Sequence, residues 1–141
     1  MVAKSSIMKI IEQIQNVLPD LITRFPMIDV LYLFGSRASN EAKAKSDLDL
    51  ALFIDQTNYI PDPLLDLKIG AFFEEKLDIK TDIIIMNKVS PIMQHEVLKT
   101  GKRLYEKDSK KRAYYELVTF KSHEDARYYQ ELRRKKETTR G

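Results

Sequence analysis

Leu33-Phe34-Gly35-Ser36, then ten residues, then Asp47-Leu48-Asp49 is the stretch on which the fold of this chain turns. The run before it, Ile28 to Phe34, is short, apolar and rich in β-formers, so it reads as a buried strand that stops abruptly at Gly35-Ser36. Arg37 to Ser46 are small and polar, suited to a short helix and a turn. Asp47 to Ile54 is a second strand, with Leu48, Leu50, Leu52 and Ile54 on one face. Carboxylates at i and i+2 of a strand share the other face, so Asp47 and Asp49 stand side by side. Two bare anions that close raise each other's pKa, and a divalent cation between them relieves the repulsion. Oxygen ligands suit a hard ion such as Mg²⁺. Gly35 allows a sharp turn and close approach of a ligand, and Ser36 opens a helix start whose N–H groups suit a phosphate. A phosphate cradle beside a metal pair is equipment for a reaction on a nucleoside triphosphate.

Working outward, Thr81 to Met86 reads as a third strand, and Asp82 at its start is costly unless paired or metal-bound. Beside the second strand, Asp82 would complete a three-carboxylate site. Asp78 is its competitor, but it lies in the polar loop Lys76 to Lys80. Apolar residues from Ile7 to Ile22 recur at helical spacing after Ser5 and Ser6, with an interruption expected near Pro19. Asp62-Pro63 and Ser90-Pro91 are both cap-plus-proline helix starts, and Gly101 is a stop for the second. After a short Leu104-Tyr105 segment, residues 108–136 read as a long, charged, tyrosine-bearing helix. Alternating helices and strands argue for an α/β fold with a helix-covered sheet. We divide the chain into residues 1–106 and a helical, basic extension, 107–141.

Composition agrees with one domain: 141 residues, 43% of them hydrophobic, suffice for a single core. The absence of cysteine excludes disulfides, thiolate metal sites and a cysteine nucleophile. No signal peptide or membrane-length apolar run is present, so a soluble, cytoplasmic protein is expected. The net charge of +3 is uneven. Residues 1–106 hold 13 Lys/Arg against 15 Asp/Glu, while 107–141 hold 11 against 6. A solvated helix face is the default reading of that tail. No nucleic-acid-binding motif accompanies it, and direct nucleic-acid binding is not expected.

A lone D-x-D also occurs in phosphatases and glycosyltransferases. The former want a hydroxyl residue where this chain has Ala51, and the latter a much longer chain. Gly35-Ser36-x10-Asp47-x-Asp49 resembles the signature of the polymerase β-type nucleotidyltransferases. In detail, with Ile92 to Gly101, it resembles the minimal nucleotidyltransferase (MNT-domain) antitoxins that pair with HEPN-type ribonuclease toxins. The resemblance covers roughly residues 28–106. It implies a small mixed β-sheet with flanking helices, ATP and Mg²⁺ (two ions), and transfer of AMP. The implied acceptor is a tyrosine hydroxyl of a cognate HEPN toxin, which is thereby neutralised. Asp47 and Asp49 match the metal aspartates, Asp82 the third carboxylate, and Gly35 and Ser36 the nucleotide-binding turn. Arg37 could reach a phosphate, with Lys45 and Ser46 weaker candidates. His95 and His123 read as structural or exposed, because Lys99 breaks the zinc-protease spacing. The five tyrosines from Tyr105 to Tyr129 default to packing. Two alternatives remain: an antitoxin acting by binding alone, and a small-molecule (aminoglycoside-type) nucleotidyltransferase.

Overall fold

Strand Ile28–Phe34 (β1) forms where it was expected, directly after a first helix, Ser6–Arg24 (α1). These come from a computed structural model of the chain that describes residues 5–39 and 46–138. The chain continues through a single 3-10 turn, Ser36–Ala38, to β2 (Leu48–Ile54), α2 (Leu65–Leu77) and β3 (Thr81–Ile85). A second 3-10 turn, Met86–Lys88, leads to α3 (Pro91–Thr100), β4 (Lys102–Glu106) and a long α4 (Ser109–Thr138). The four strands form one mixed sheet in the order β3-β2-β1-β4. β1 is antiparallel to β2 and β4, while β2 and β3 run parallel.

Period-two alternation divides the sheet's side chains between two helical layers. Leu31, Leu33, Leu48, Leu50, Leu52 and Ile85 face α1 and α2 and pack with Ile14, Leu21, Ile69 and Phe73. Val30, Tyr32, Ala51 and Phe53 form the other face and pack with Val97 of α3 and Tyr115 of α4.

Several boundaries differ from the sequence reading. The first helix is not interrupted at Pro19. Proline costs it one N–H, but fully buried Ile14 and Leu21 on either side keep both halves docked. The second strand starts at Leu48, so Asp47 lies just before it. The second helix starts at Leu65 instead of Pro63. The Asp62 carboxylate accepts from Leu64 N (2.9 Å) and the Lys68 ammonium (2.6 Å), which holds Pro63-Leu64 in a turn ahead of the helix. Met86 belongs to the 3-10 turn and not to β3. The Leu104-Tyr105 segment is the centre of a full edge strand. Of the polar stretch 37–46, residues 40–45, including Lys45, lie outside the described residues. The start at Ser90 and the stop at Gly101 form as read: Ser90 Oγ accepts from Met93 N at 3.2 Å.

Candidate active site

The end of β1 and the start of β2 meet at one corner of the sheet. Phe34 pairs with Asp49, and on the other side Asp49 pairs with Asp82 of β3. Leu48 and Leu50 point toward α1 and α2, so Asp49 points to the opposite face. Asp82, flanked by Ile83 on the α1–α2 side, points the same way. The parallel pairing of β2 with β3 thus places two carboxylates from distant segments side by side. Asp47 precedes the strand, 3.9 Å from the Lys80 ammonium, while Leu48 N donates to Lys80 O at 2.8 Å. The competitor Asp78 is elsewhere: it caps the C-terminus of α2 in a left-handed conformation (φ 54°, ψ 41°).

Charge is strained at this corner. The Asp49 carboxyl is pushed above the usual carboxylate range, first by burial and then by the negative charges of Asp82 and Asp47. Among the described residues, no three His, Cys, Asp or Glu side chains are drawn tightly enough together to form a ready metal-binding group. The three aspartates still offer oxygen donors only, and a cation among them would offset the repulsion that Asp49 feels. That donor set suits a hard divalent ion.

Gly35 sits in a backbone conformation (φ 74°, ψ −159°) open in practice only to glycine. A side-chain carbon there would collide with Asp49 Oδ2. Glycine is therefore required twice, for the dihedral angles and for the room that Asp49 occupies. Ser36 opens the 3-10 turn, which at three residues is too short for a substantial dipole. What it offers an anion is the unbonded N–H groups of any helix start. Arg37 donates from Nε (2.9 Å) and Nη2 (2.6 Å) to Ser46 O. It ties the glycine turn to the residue preceding Asp47, a role the sequence did not suggest because the bond closes across a loop.

A mixed sheet with a glycine-serine turn facing strand-borne aspartates defines a nucleotidyltransferase. Residues 12–110 match the family described as polymerase beta, nucleotidyltransferase, and the chain belongs to that family. Among its relatives is the protein adenylyltransferase MntA of Aphanizomenon flos-aquae (strain 2012/KM1/D3), 37% identical over 93 residues. That match spans 61% of this chain and 62% of the relative, so it covers less than two thirds of the relative's length. A crystal structure of a toxin–antitoxin with AMP-PNP shares the fold at a TM-score of 0.65, with 20% identity over 92% of this chain and 94% of the other. So does the MNT antitoxin complexed with tri-AMPylated Shewanella oneidensis HEPN toxin: TM-score 0.53, 20% identity, 95% of this chain and 92% of the other. No described helix is long and apolar enough to cross a membrane.

Proposed function

We propose that this protein is an antitoxin that transfers AMP from ATP to a tyrosine hydroxyl of a cognate HEPN-type ribonuclease toxin and so neutralises it. The observation that carries the reading is the in-register Asp49–Asp82 pair beside the glycine turn at Gly35. The likeness to MntA, a protein adenylyltransferase, favours a protein acceptor over a small molecule. Relatives of the same fold solved with AMP-PNP and with an AMPylated HEPN toxin support ATP as donor and such a toxin as partner.

In this reading Gly35, Ser36 and Arg37 hold the triphosphate. Gly35 lets the ligand come against the backbone, Ser36 supplies donors, and Arg37 keeps the turn in place against Ser46. Asp47, Asp49 and Asp82 would hold Mg²⁺, two ions in all. When bound, the metal neutralises the triphosphate and lowers the barrier at the α-phosphorus. The tyrosine oxygen forms a bond to that phosphorus while the bond to pyrophosphate breaks. Asp82, the exposed carboxylate on the edge strand, is placed to serve as a further ligand or to take the hydroxyl proton.

The test is transfer of label from ATP to the partner toxin with Mg²⁺ present. The parent should label the toxin, and the Asp47→Asn/Asp49→Asn variant should not. Equal labelling by the two would remove these aspartates from the site.

A further inference from the structure

Helix α4 is packed on one side, and only over its first half. Tyr115 stacks on Phe53 of the sheet with ring centres 4.5 Å apart, and Thr119 one turn on is 2% exposed. Residues 127–136, by contrast, are all exposed. A helical stretch of that length with no packing of its own is marginal in water.

The side of α4 turned away from the sheet is apolar along its length. Tyr114, Leu117, Val118, Tyr128, Tyr129 and Leu132 are each 42–67% exposed. Tyr114, Val118, Lys121, Asp125, Tyr128 and Leu132 follow one another at alternating steps of four and three, the spacing of a coiled-coil seam. Leu117 and Tyr129 widen it on either flank. The stripe runs for about 27 Å at the helical rise per residue.

Its pattern is symmetric about position 123. Tyr114 and Leu132 lie nine residues to either side, the Leu117-Val118 and Tyr128-Tyr129 pairs five and six, and Lys121 and Asp125 two. A second α4 laid antiparallel on the first, with a two-fold axis at that level, meets the pattern with its complement. Tyr114 then faces Leu132 of the second copy, Leu117-Val118 faces Tyr128-Tyr129, and Lys121 faces Asp125, each contact made twice. A parallel pair in register would set Lys121 against Lys121 and Asp125 against Asp125. Both side chains are exposed, and among the described residues neither is in an ion pair. At the two ends Lys110 approaches Lys135 of the second copy, but both are exposed, and physiological salt damps their repulsion over about 8 Å.

We propose that this face pairs two copies of the chain through an antiparallel, two-fold contact of their α4 helices. The unpacked end of each helix lies along the first half of the other. The surface is self-complementary, so the assembly closes at two copies. Six half-exposed side chains of this size present on the order of 500 Å² of apolar area per copy. Two copies bury about 1,000 Å² of it, the lower bound of a specific interface, which fits a dimer of micromolar affinity. The pairing goes beyond the AMP-transfer reading and does not rest on it, so either can fail alone.

The experiment is sedimentation equilibrium of the full chain at concentrations on the order of 1 to 200 µM. The parent should move from 16.5 kDa to twice that mass. Lys121→Asp and Asp125→Lys each turn two attractions into two repulsions and should weaken the dimer about tenfold. The double variant, which exchanges the two charges, should return to within about twofold of the parent. Leu117→Asp should leave a monomer with the parent's helix content. The chain has no cysteine, so register can be read by cross-linking. Under mild oxidation Tyr114→Cys and Leu132→Cys proteins should link to each other and neither to itself. A parent that stays monomeric, or a dimer indifferent to Leu117→Asp, overturns the proposal. Single charge reversals without rescue, or self-linking of the Tyr114→Cys protein, overturn the antiparallel pairing. A monomeric parent whose toxin binding is lost in Leu117→Asp also overturns it and assigns the face to the toxin.

Discussion

Gly35→Ala tests backbone, site and chemistry together. At φ 74° and ψ −159° a residue with a side chain pays about 1–3 kcal/mol in backbone strain. The added carbon would also run into Asp49 Oδ2 and come within 3.0 Å of Asp49 Cγ. Asp49 must then leave its rotamer, at a further cost of about 1 kcal/mol. The substitution should therefore lower unfolding free energy by about 2–4 kcal/mol. In an Asp49→Ala background the colliding oxygen and Cγ are gone and only Cβ, at 3.1 Å, remains. There the same substitution should cost about 1 kcal/mol less. Urea denaturation of the four proteins closes the cycle and isolates that coupling. Transfer of AMP by the folded fraction should fall by about two orders of magnitude, since displacing a reacting-site carboxylate by an ångström has effects of that size. An identical cost in both backgrounds would mean that Asp49 does not occupy the space above Gly35. A cost under about 0.5 kcal/mol in the parent would mean that the backbone there is not glycine-restricted.

Further outcomes follow from other parts of the molecule. The Asp47→Asn/Asp49→Asn variant should bind the toxin in a pull-down yet fail to protect cells from it, whereas protection equal to the parent would mean neutralisation by contact alone. Excess chelator should abolish labelling of the toxin by the parent, and added Mg²⁺ should restore it. Lys111 bridges two buried carboxylates, Asp29 at 2.9 Å and Asp55 at 3.2 Å. Lys111→Met removes the counter-ion of both, leaving Asp29 the Tyr115 hydroxyl and Asp55 the Thr57 and Asn58 donors, and should cost about 2 kcal/mol in urea denaturation, allowing for its partly exposed side chain. Asp55 is held well below the usual carboxylate range, chiefly by the Asn58 side chain and then by the Thr57 and Asn58 amides and Lys111. A lowered folded-state pKa gives stability that is present above about pH 4 and lost as pH falls further. The thermal midpoint should therefore drop in that acid range, and Asp55→Asn should flatten the drop.

The legible parts of this protein are those whose signals are local. Alternation at Leu48, Leu50 and Leu52 announces a strand and the face it turns to α1 and α2, though not that Ala51 and Phe53 bury the other face as well, and Ser90-Pro91 with Gly101 brackets a helix, because caps and periodicity act within a few residues. Pro19 misled for a related reason. Its local cost is real, but burial of Ile14 and Leu21 outweighs it, and burial is not visible in the neighbouring residues. Asp62-Pro63 carries a genuine cap, though the Asp62–Lys68 ion pair and the bond to Leu64 N spend it on a turn.

The sequence by itself determined the glycine turn, the Asp47-x-Asp49 motif and the alternation of helices with strands, since each is written in consecutive residues. Tertiary structure alone decided that β3 lies parallel beside β2, which brings Asp82 and not Asp78 next to Asp49. It also decided that α4 folds back onto the sheet. There Tyr115 reaches the carboxylate of buried Asp29, 86 positions away, and Glu116 accepts from the Tyr32 hydroxyl. Nothing in the apolar run Ile28 to Phe34 signals those partners. Which strand pairs with which, and which helix covers them, is settled by the total apolar surface that one arrangement buries and the polar groups it satisfies. That balance exists only for the whole chain.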